Sequence, residues 1–262
     1  ADLLTPISAY MRLEKDSNYA FILESVEKGA RYSRYSFIGR NPRLIIRSKN
    51  HITQIKENGK WEDKLSPFLD VLRSIQKQYQ GPKLSGIPHF TGGLVGYMGY
   101  ESIIWVEDIP IYENDTLECP DALFMLFEDL IAFDHLQNQI ILFSNVPIEK
   151  GMDMQKAYDD AHDRIDEMGE DLHTDIDYQT LPQKQQSELQ SNFTKAGFED
   201  AVLQAKEYIK AGDIFQLVLS QRFHRKSSAD PLTLYRALRS INPSPYMFHL
   251  KMGDFDIIGA SP

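Results

Sequence analysis

The sequence predicts an α+β fold in which antiparallel sheets pack against interspersed helices. Two observations carry this. Strand-like runs come in pairs about short polar turns, at residues 44–47 and 51–55 with Glu57-Asn58-Gly59 as the next turn, and at 246–251 and 255–258 over Met252-Gly253-Asp254. Helical stripes of period 3.6 lie among these pairs without alternating one-for-one with strands, which argues against a doubly wound parallel sheet.

From the N-terminus, Leu4-Thr5-Pro6-Ile7 reads as extended, because Pro6 disfavours a helical conformation at Thr5. Residues 19–23 form a short buried strand that runs into Glu24-Ser25, two polar groups that on pattern alone mark its end. Residues 31–38 mix arginine, tyrosine and serine and read as a half-exposed strand. Ser66-Pro67 supplies an N-cap and a proline at the first helical position, and Leu69, Leu72 and Ile75 line the buried face that follows. Gly93, Gly96 and Gly99 suggest a phosphate loop, but their spacing is neither GxGxxG nor GxxxxGK[ST]. With Leu94, Val95, Tyr97 and Met98 between them, a strand whose glycines admit a neighbouring backbone fits better.

Residues 121–134 and Gln139–Ser144 read as strands about a turn at Gln137-Asn138. Residues 150–170 are helical, with Ala157, Ala161, Ile165 and Met168 on one side and a solvated acidic face on the other. The polar, Gln-rich stretch 171–190 reads as a linker. It divides an N-terminal region, 1–170, from the incomplete start of a second domain, 191–262. There Thr194 caps a core helix that Gly212 ends, and a strand with period 2 follows. Phe215, Leu217, Leu219 and Phe223 take one side of that strand, and Ile214, Gln216, Val218, Ser220 and Arg222 the other. A buried Gln216 amide needs partners, and the plain reading is a core glutamine bonded to a neighbouring strand. Asp230-Pro231 starts another helix, carrying Leu232, Tyr235 and Leu238. It ends before Asn242-Pro243-Ser244-Pro245, where two prolines forbid helix.

Composition excludes several classes. The 262 residues carry a formal charge of −10 with no basic block, so nucleic acid is not an expected partner. No apolar run approaches the ~18 residues of a membrane span. Cys119 is the only cysteine, which excludes a disulfide within the chain and a Cys-based zinc site, and the seven histidines show no paired metal-ligand spacing. These features predict a cytoplasmic protein with no metal site of its own. A first residue Ala1 and a last residue Pro262 placed directly after a strand-like run read as a fragment.

Glu24-Ser25 and the turn over residues 242–248 contain the groups a free amino acid requires. Its ammonium needs a carboxylate or carbonyls, its carboxylate needs N–H or hydroxyl donors, and an aromatic side chain needs a flat apolar slot. Glu24, Ser25, Pro245, Tyr246 and Met247 supply those types.

Leu4-Thr5-Pro6-Ile7, Ile22-Leu23-Glu24-Ser25, RYSFIG from Arg34, GGLVGYMGYE, AGDIFQLVLSQRF, NPSPYMF and the final GASP resemble, in order along the whole chain, the component I family of anthranilate synthases. The resemblance implies a large fold with antiparallel sheets and interleaved domains. It implies a lyase that converts chorismate and glutamine-derived ammonia to anthranilate and pyruvate with Mg2+, and a glutamine amidotransferase subunit as partner. It further implies inhibition by L-tryptophan at Leu23, Glu24, Ser25, Pro245, Tyr246 and Met247, with Asn242, Pro243, Phe248 and Gly259 nearby. Family members continue past GASP into the half that holds chorismate and Mg2+, so those ligands are expected beyond residue 262 and the chain alone is expected to be inactive. Gln216 is the catalytic candidate within the chain. Isochorismate and salicylate synthases carry Lys on the similar strand, apparently as a base for water, whereas ammonia needs no such base. Two alternatives are the sister enzyme that makes aminodeoxychorismate and a non-catalytic amino-acid-binding module.

Overall fold

The structure is a computed structural model that describes residues 3–26, 34–82, 84–110, 115–176 and 187–262. Residues 31–33 of the expected half-exposed strand and 177–186 of the expected linker lie outside the described residues. In chain order the elements are α1 (Pro6–Glu14), β1 (Tyr19–Glu24), β2 (Tyr35–Arg40), β3 (Leu44–Lys49), β4 (Ile52–Glu57), β5 (Lys60–Lys64), α2 (Phe68–Gln78) and β6 (Gly93–Met98). A 3-10 helix (Tyr100–Trp105) precedes β7 (Ala122–Phe127), β8 (Asp129–Asp134), β9 (Gln139–Ser144) and α3 (Met154–Asp171). The two-residue strands β10 (Gln190–Ser191) and β11 (Phe223–His224) flank α4 (Lys195–Ala211), and α5 (Pro231–Ile241), β12 (Tyr246–Met252) and β13 (Asp256–Ser261) complete the order. The fold is α+β.

The chain divides into two compact units, Ala1–Tyr178 with Leu234–Pro262, and Gln179–Thr233. The sequence-based division kept 191–262 together; here β12 and β13 join the first unit because β12 pairs along the whole of β1, from Tyr19 opposite Met252 to Glu24 opposite Met247.

The first unit holds two antiparallel sheets, in the orders β13-β12-β1-β2-β8-β9 and β5-β4-β3-β7-β6. Their facing sides share one core, with Phe21, Leu130, Ala132, Leu250 and Met252 from the first sheet and Ile45, Val95, Leu123, Met125 and Phe127 from the second. On the outer side of the five-stranded sheet, Phe68, Val71 and Ile75 of α2 pack on Leu44, Ile46 and Leu126. α1 and α5 cover the other sheet, where the Tyr10 and Tyr235 rings lie 5.4 and 5.9 Å from His249.

The run 121–134 reads continuously in sequence but serves both sheets. β7 pairs with β3 and β6, β8 pairs with β2 and β9, and the chain crosses at Glu128. The glycine strand forms as expected: a Cβ at Gly96 would collide with the Leu123 carbonyl oxygen and the Phe124 Cα of β7.

Three expectations are corrected. A helix begins at Pro6, where the sequence suggested an extended segment. Thr5 itself is extended (φ −93°, ψ 155°), as the proline requires, and it caps the helix by accepting from the Ser8 N–H at 3.1 Å. The α2 helix begins one residue later than expected, with Pro67 rather than Ser66 at the cap.

The third concerns residues 213–222, which form no strand. Thr194 caps α4 and Gly212 ends it at φ 84° as expected, but no residue of α4 is buried. Beyond it Phe215 and Val218 are 94% and 82% exposed, and Gln216 is exposed rather than a core amide. An alternating pattern becomes a strand only through ladder partners, and within this unit β10 pairs only with β11.

Candidate functional site

Strand alternation sorts the candidate residues by face. Successive side chains of β1 and β12 point to opposite sides of the sheet. Leu23 lies opposite Phe248, and Glu24 lies opposite Met247. Leu23 and Phe248 turn toward the second sheet, where they help to line a cavity of about 580 Å³. Phe37, Phe90, Tyr97, Phe124, Leu250 and Ile257 also line it. Phe37 meets Phe90 edge-on with ring centroids 5.4 Å apart, so aromatic faces are presented from both strands and loops. Gly259 leaves room for the Phe248 ring, which occupies the place a Cβ there would take.

The cavity offers little polarity. The Tyr97 hydroxyl donates to the Pro120 carbonyl at 2.5 Å, and burial pushes its pKa well above the usual tyrosine value, so it stays a protonated donor. Ser25 follows Leu23 by two residues, which on continued alternation puts it on the same face. Its Oγ is buried and without a hydrogen-bond partner. Buried polar groups in folded proteins are nearly always hydrogen-bonded, so an unmatched hydroxyl beside the cavity marks this strand end as unusual.

Glu24 and Met247 face the helices instead. The Glu24 carboxylate accepts from the Tyr235 hydroxyl at 2.7 Å and from Arg239 Nε at 3.0 Å and Arg239 Nη2 at 3.3 Å. Burial, reinforced by the Glu24 charge, raises the Tyr235 pKa far above its ordinary value and keeps the phenol protonated. Glu24 is thus held inside the protein by α5. His135 sits at the edge of this group, its Nε2 2.8 Å from Ser36 Oγ. Burial lowers its pKa against the opposing pull of Glu24 and Asp134.

The strand end and the proline turn are joined directly: the Val26 N–H donates to the Ser244 carbonyl at 3.0 Å. Asn242 and Pro243 are exposed, Pro245 is partly buried, and Tyr246 is exposed at the mouth of β12. The structure therefore brings the Leu23-Glu24-Ser25 segment beside the Pro245-Tyr246-Met247 segment and distributes their side chains over two faces. Sequence reasoning missed Tyr235 and Arg239, whose i, i+4 spacing on an amphipathic helix was the available signal. It also missed the aromatic lining at Phe37, Phe90 and Tyr97.

The profile of the chorismate binding enzyme family matches residues 18–262. This chain belongs to that family. It is 39% identical over its full length to anthranilate synthase component 1 from Acetivibrio thermocellus, of which it covers 54%. It is equally 39% identical to the probable anthranilate synthase component 1 of Schizosaccharomyces pombe, covering 51% of that protein. The crystal structure of anthranilate synthase component I from Streptococcus pneumoniae TIGR4 superposes with a TM-score of 0.74 at 29% identity, over all of this chain and 56% of that one. The chain thus spans about half the length of the curated relatives it matches. Among the described residues, no group of three or more His, Cys, Asp or Glu is placed to hold a metal ion, and no helix is long and apolar enough to cross a membrane.

Proposed function

We propose that this chain is the N-terminal, inhibitor-sensing portion of an anthranilate synthase component I. In that reading the whole enzyme is a lyase that converts chorismate and glutamine-derived ammonia to anthranilate and pyruvate in tryptophan biosynthesis. A glutamine amidotransferase subunit delivers the ammonia, and L-tryptophan shuts the reaction down. The observation that carries the reading is the inter-sheet cavity. Two segments far apart in sequence meet beside a slot lined by aromatic rings, and Ser25, two residues after the lining Leu23, carries a hydroxyl with no hydrogen-bond partner. Such a site suits a flat apolar side chain attached to a polar head.

Within this division of labour the indole packs against Leu23, Phe37, Phe90 and Phe248, and Ser25 serves the polar backbone of the ligand. Glu24, committed to Tyr235 and Arg239, shapes the strand end rather than receiving the ammonium. Gln216 is the chain's contribution to the reacting site of the whole enzyme. In this reading Mg2+ would be a cofactor of the whole enzyme. Among the described residues no group of His, Cys, Asp or Glu side chains is placed to hold it.

The chain by itself is inactive in this reading, because a partial site cannot hold chorismate in reacting geometry. Chorismate, Mg2+ and ammonia are mixed with the purified chain and anthranilate fluorescence is followed. Fluorescence at background is the expected result; turnover above background would overturn the assignment of chemistry to the rest of the enzyme.

A further inference from the structure

The face of β1 and β12 that turns away from the cavity carries an ion pair whose carboxylate is buried. The Glu24 side chain is only 2% exposed, and both of its hydrogen-bonding side-chain partners, Tyr235 and Arg239, stand one helical turn apart on α5. The turn after α5 is tied to the same strand end. Ser244 accepts from the Val26 N–H through its carbonyl, and its hydroxyl accepts from the Tyr246 N–H at 3.3 Å. The end of β1, the last turns of α5 and the start of β12 are thus one hydrogen-bonded assembly.

A carboxylate this deeply buried is costly to leave without its hydrogen-bond donors. If the strand end moves, α5 must move with it or leave an unpaired charge inside the protein. Leu23 and Phe248, the chain neighbours of Glu24 and Met247, border the cavity on the opposite face. A ligand pressed against them selects among arrangements of those two strands, and the ion pair obliges α5 to take part in the selection. The chain passes from one compact unit to the other within this helix, between Thr233 and Leu234.

We infer that Tyr235 and Arg239 are positioning residues that couple occupancy of the inter-sheet cavity to α5. The inference rests on the reading of that cavity as an aromatic amino-acid site. Coupling between two places is reciprocal, so weakening the hold on α5 must change affinity in the cavity on the other face of the sheet. A purely structural ion pair would lower the melting temperature and leave that affinity alone.

L-Tryptophan is titrated calorimetrically into the wild-type chain and its Tyr235→Phe and Arg239→Lys variants. The temperature is one at which circular dichroism shows all three folded. Tyr235→Phe keeps the ring and removes one hydrogen bond; Arg239→Lys keeps the charge and removes the fork. The expected result is binding weakened about fivefold or more in each variant. Wild-type binding matched by both variants would overturn the coupling alone. A wild-type chain that takes up no tryptophan would overturn the cavity reading, and the coupling with it.

Discussion

Leu23 of β1 and Phe248 of β12 stand directly opposite each other in the six-stranded sheet and border one aromatic cavity. The next pair along, Glu24 and Met247, points the other way, toward the helices. One strand pairing therefore gives both a candidate ligand slot and a buried carboxylate held by an ion pair, separated by the thickness of the sheet.

The closeness of β6 to β7 gives a prediction about the sandwich itself. Gly96 is the one position where the Leu123 carbonyl and the Phe124 Cα leave no space for a methyl group. Gly96→Ala is expected to destabilise the chain by about 1–3 kcal/mol, the usual cost of overpacking a core. Denaturant melts of both proteins measure it, and an unchanged midpoint would contradict the packing described here.

Glu128 marks the crossing between sheets and gives a prediction about pH. Burial raises its pKa, with Asp129 and Glu57 adding to the rise and Arg43 and Arg164 opposing it, and one of its oxygens has no hydrogen-bond partner. The folded state thus holds the Glu128 proton more tightly than the unfolded chain does. This contribution to stability is fully present below the unfolded pKa and is lost as pH rises through the folded value. Ionising Glu128 leaves a poorly solvated carboxylate, a cost that a neutral amide does not carry, so Glu128→Gln is expected to raise the melting temperature at pH 7. The gain should fade below about pH 4, where both states carry the proton. A difference that stays constant with pH would show that the charge is not what matters.

Much of this fold was legible in the sequence, and the exceptions have physical causes. The paired runs at 44–57 and 246–258 announced their hairpins, because a short turn fixes which strands meet. Thr5-Pro6 carries the same start signal as Asp230-Pro231; the restriction that a proline imposes reaches only Thr5 before it and leaves the segment after it free to be helical. In residues 121–134 the charged pair Glu128-Asp129 interrupts the apolar pattern at the crossing, but a pair of charges does not say that the strands on either side join different sheets. Residues 213–222 kept the alternation of a strand without the ladder partners that make one. At the candidate site the two segments were identifiable by residue type. The register that sets Glu24 against Met247, and so turns Glu24 away from the cavity, is a long-range pairing that no local pattern encodes.

Gln216 separates the chain from the whole enzyme. It is exposed in a stretch without regular structure, so Gln216→Lys is expected to shift the stability of this chain by no more than about 0.5 kcal/mol. In the whole enzyme the same change places an amine at the position where the water-using relatives carry one. Ammonia-dependent anthranilate formation is expected to fall by about tenfold or more. Steady-state assays of the two full-length enzymes check this, and equal turnover would reduce Gln216 to a bystander.

The central claim is that the inter-sheet cavity receives L-tryptophan with Ser25 at its polar end, and isothermal titration into the wild type, Ser25→Ala and Ser25→Phe tests it most directly. A hydrogen bond to a charged group contributes about 1.5–3 kcal/mol. Ser25→Ala is therefore expected to weaken binding about ten- to a hundredfold. Ser25→Phe should weaken it further by filling the space, while leaving uninhibited turnover of the whole enzyme intact. Equal affinities across the three proteins, or no binding to the wild type, would contradict the claim.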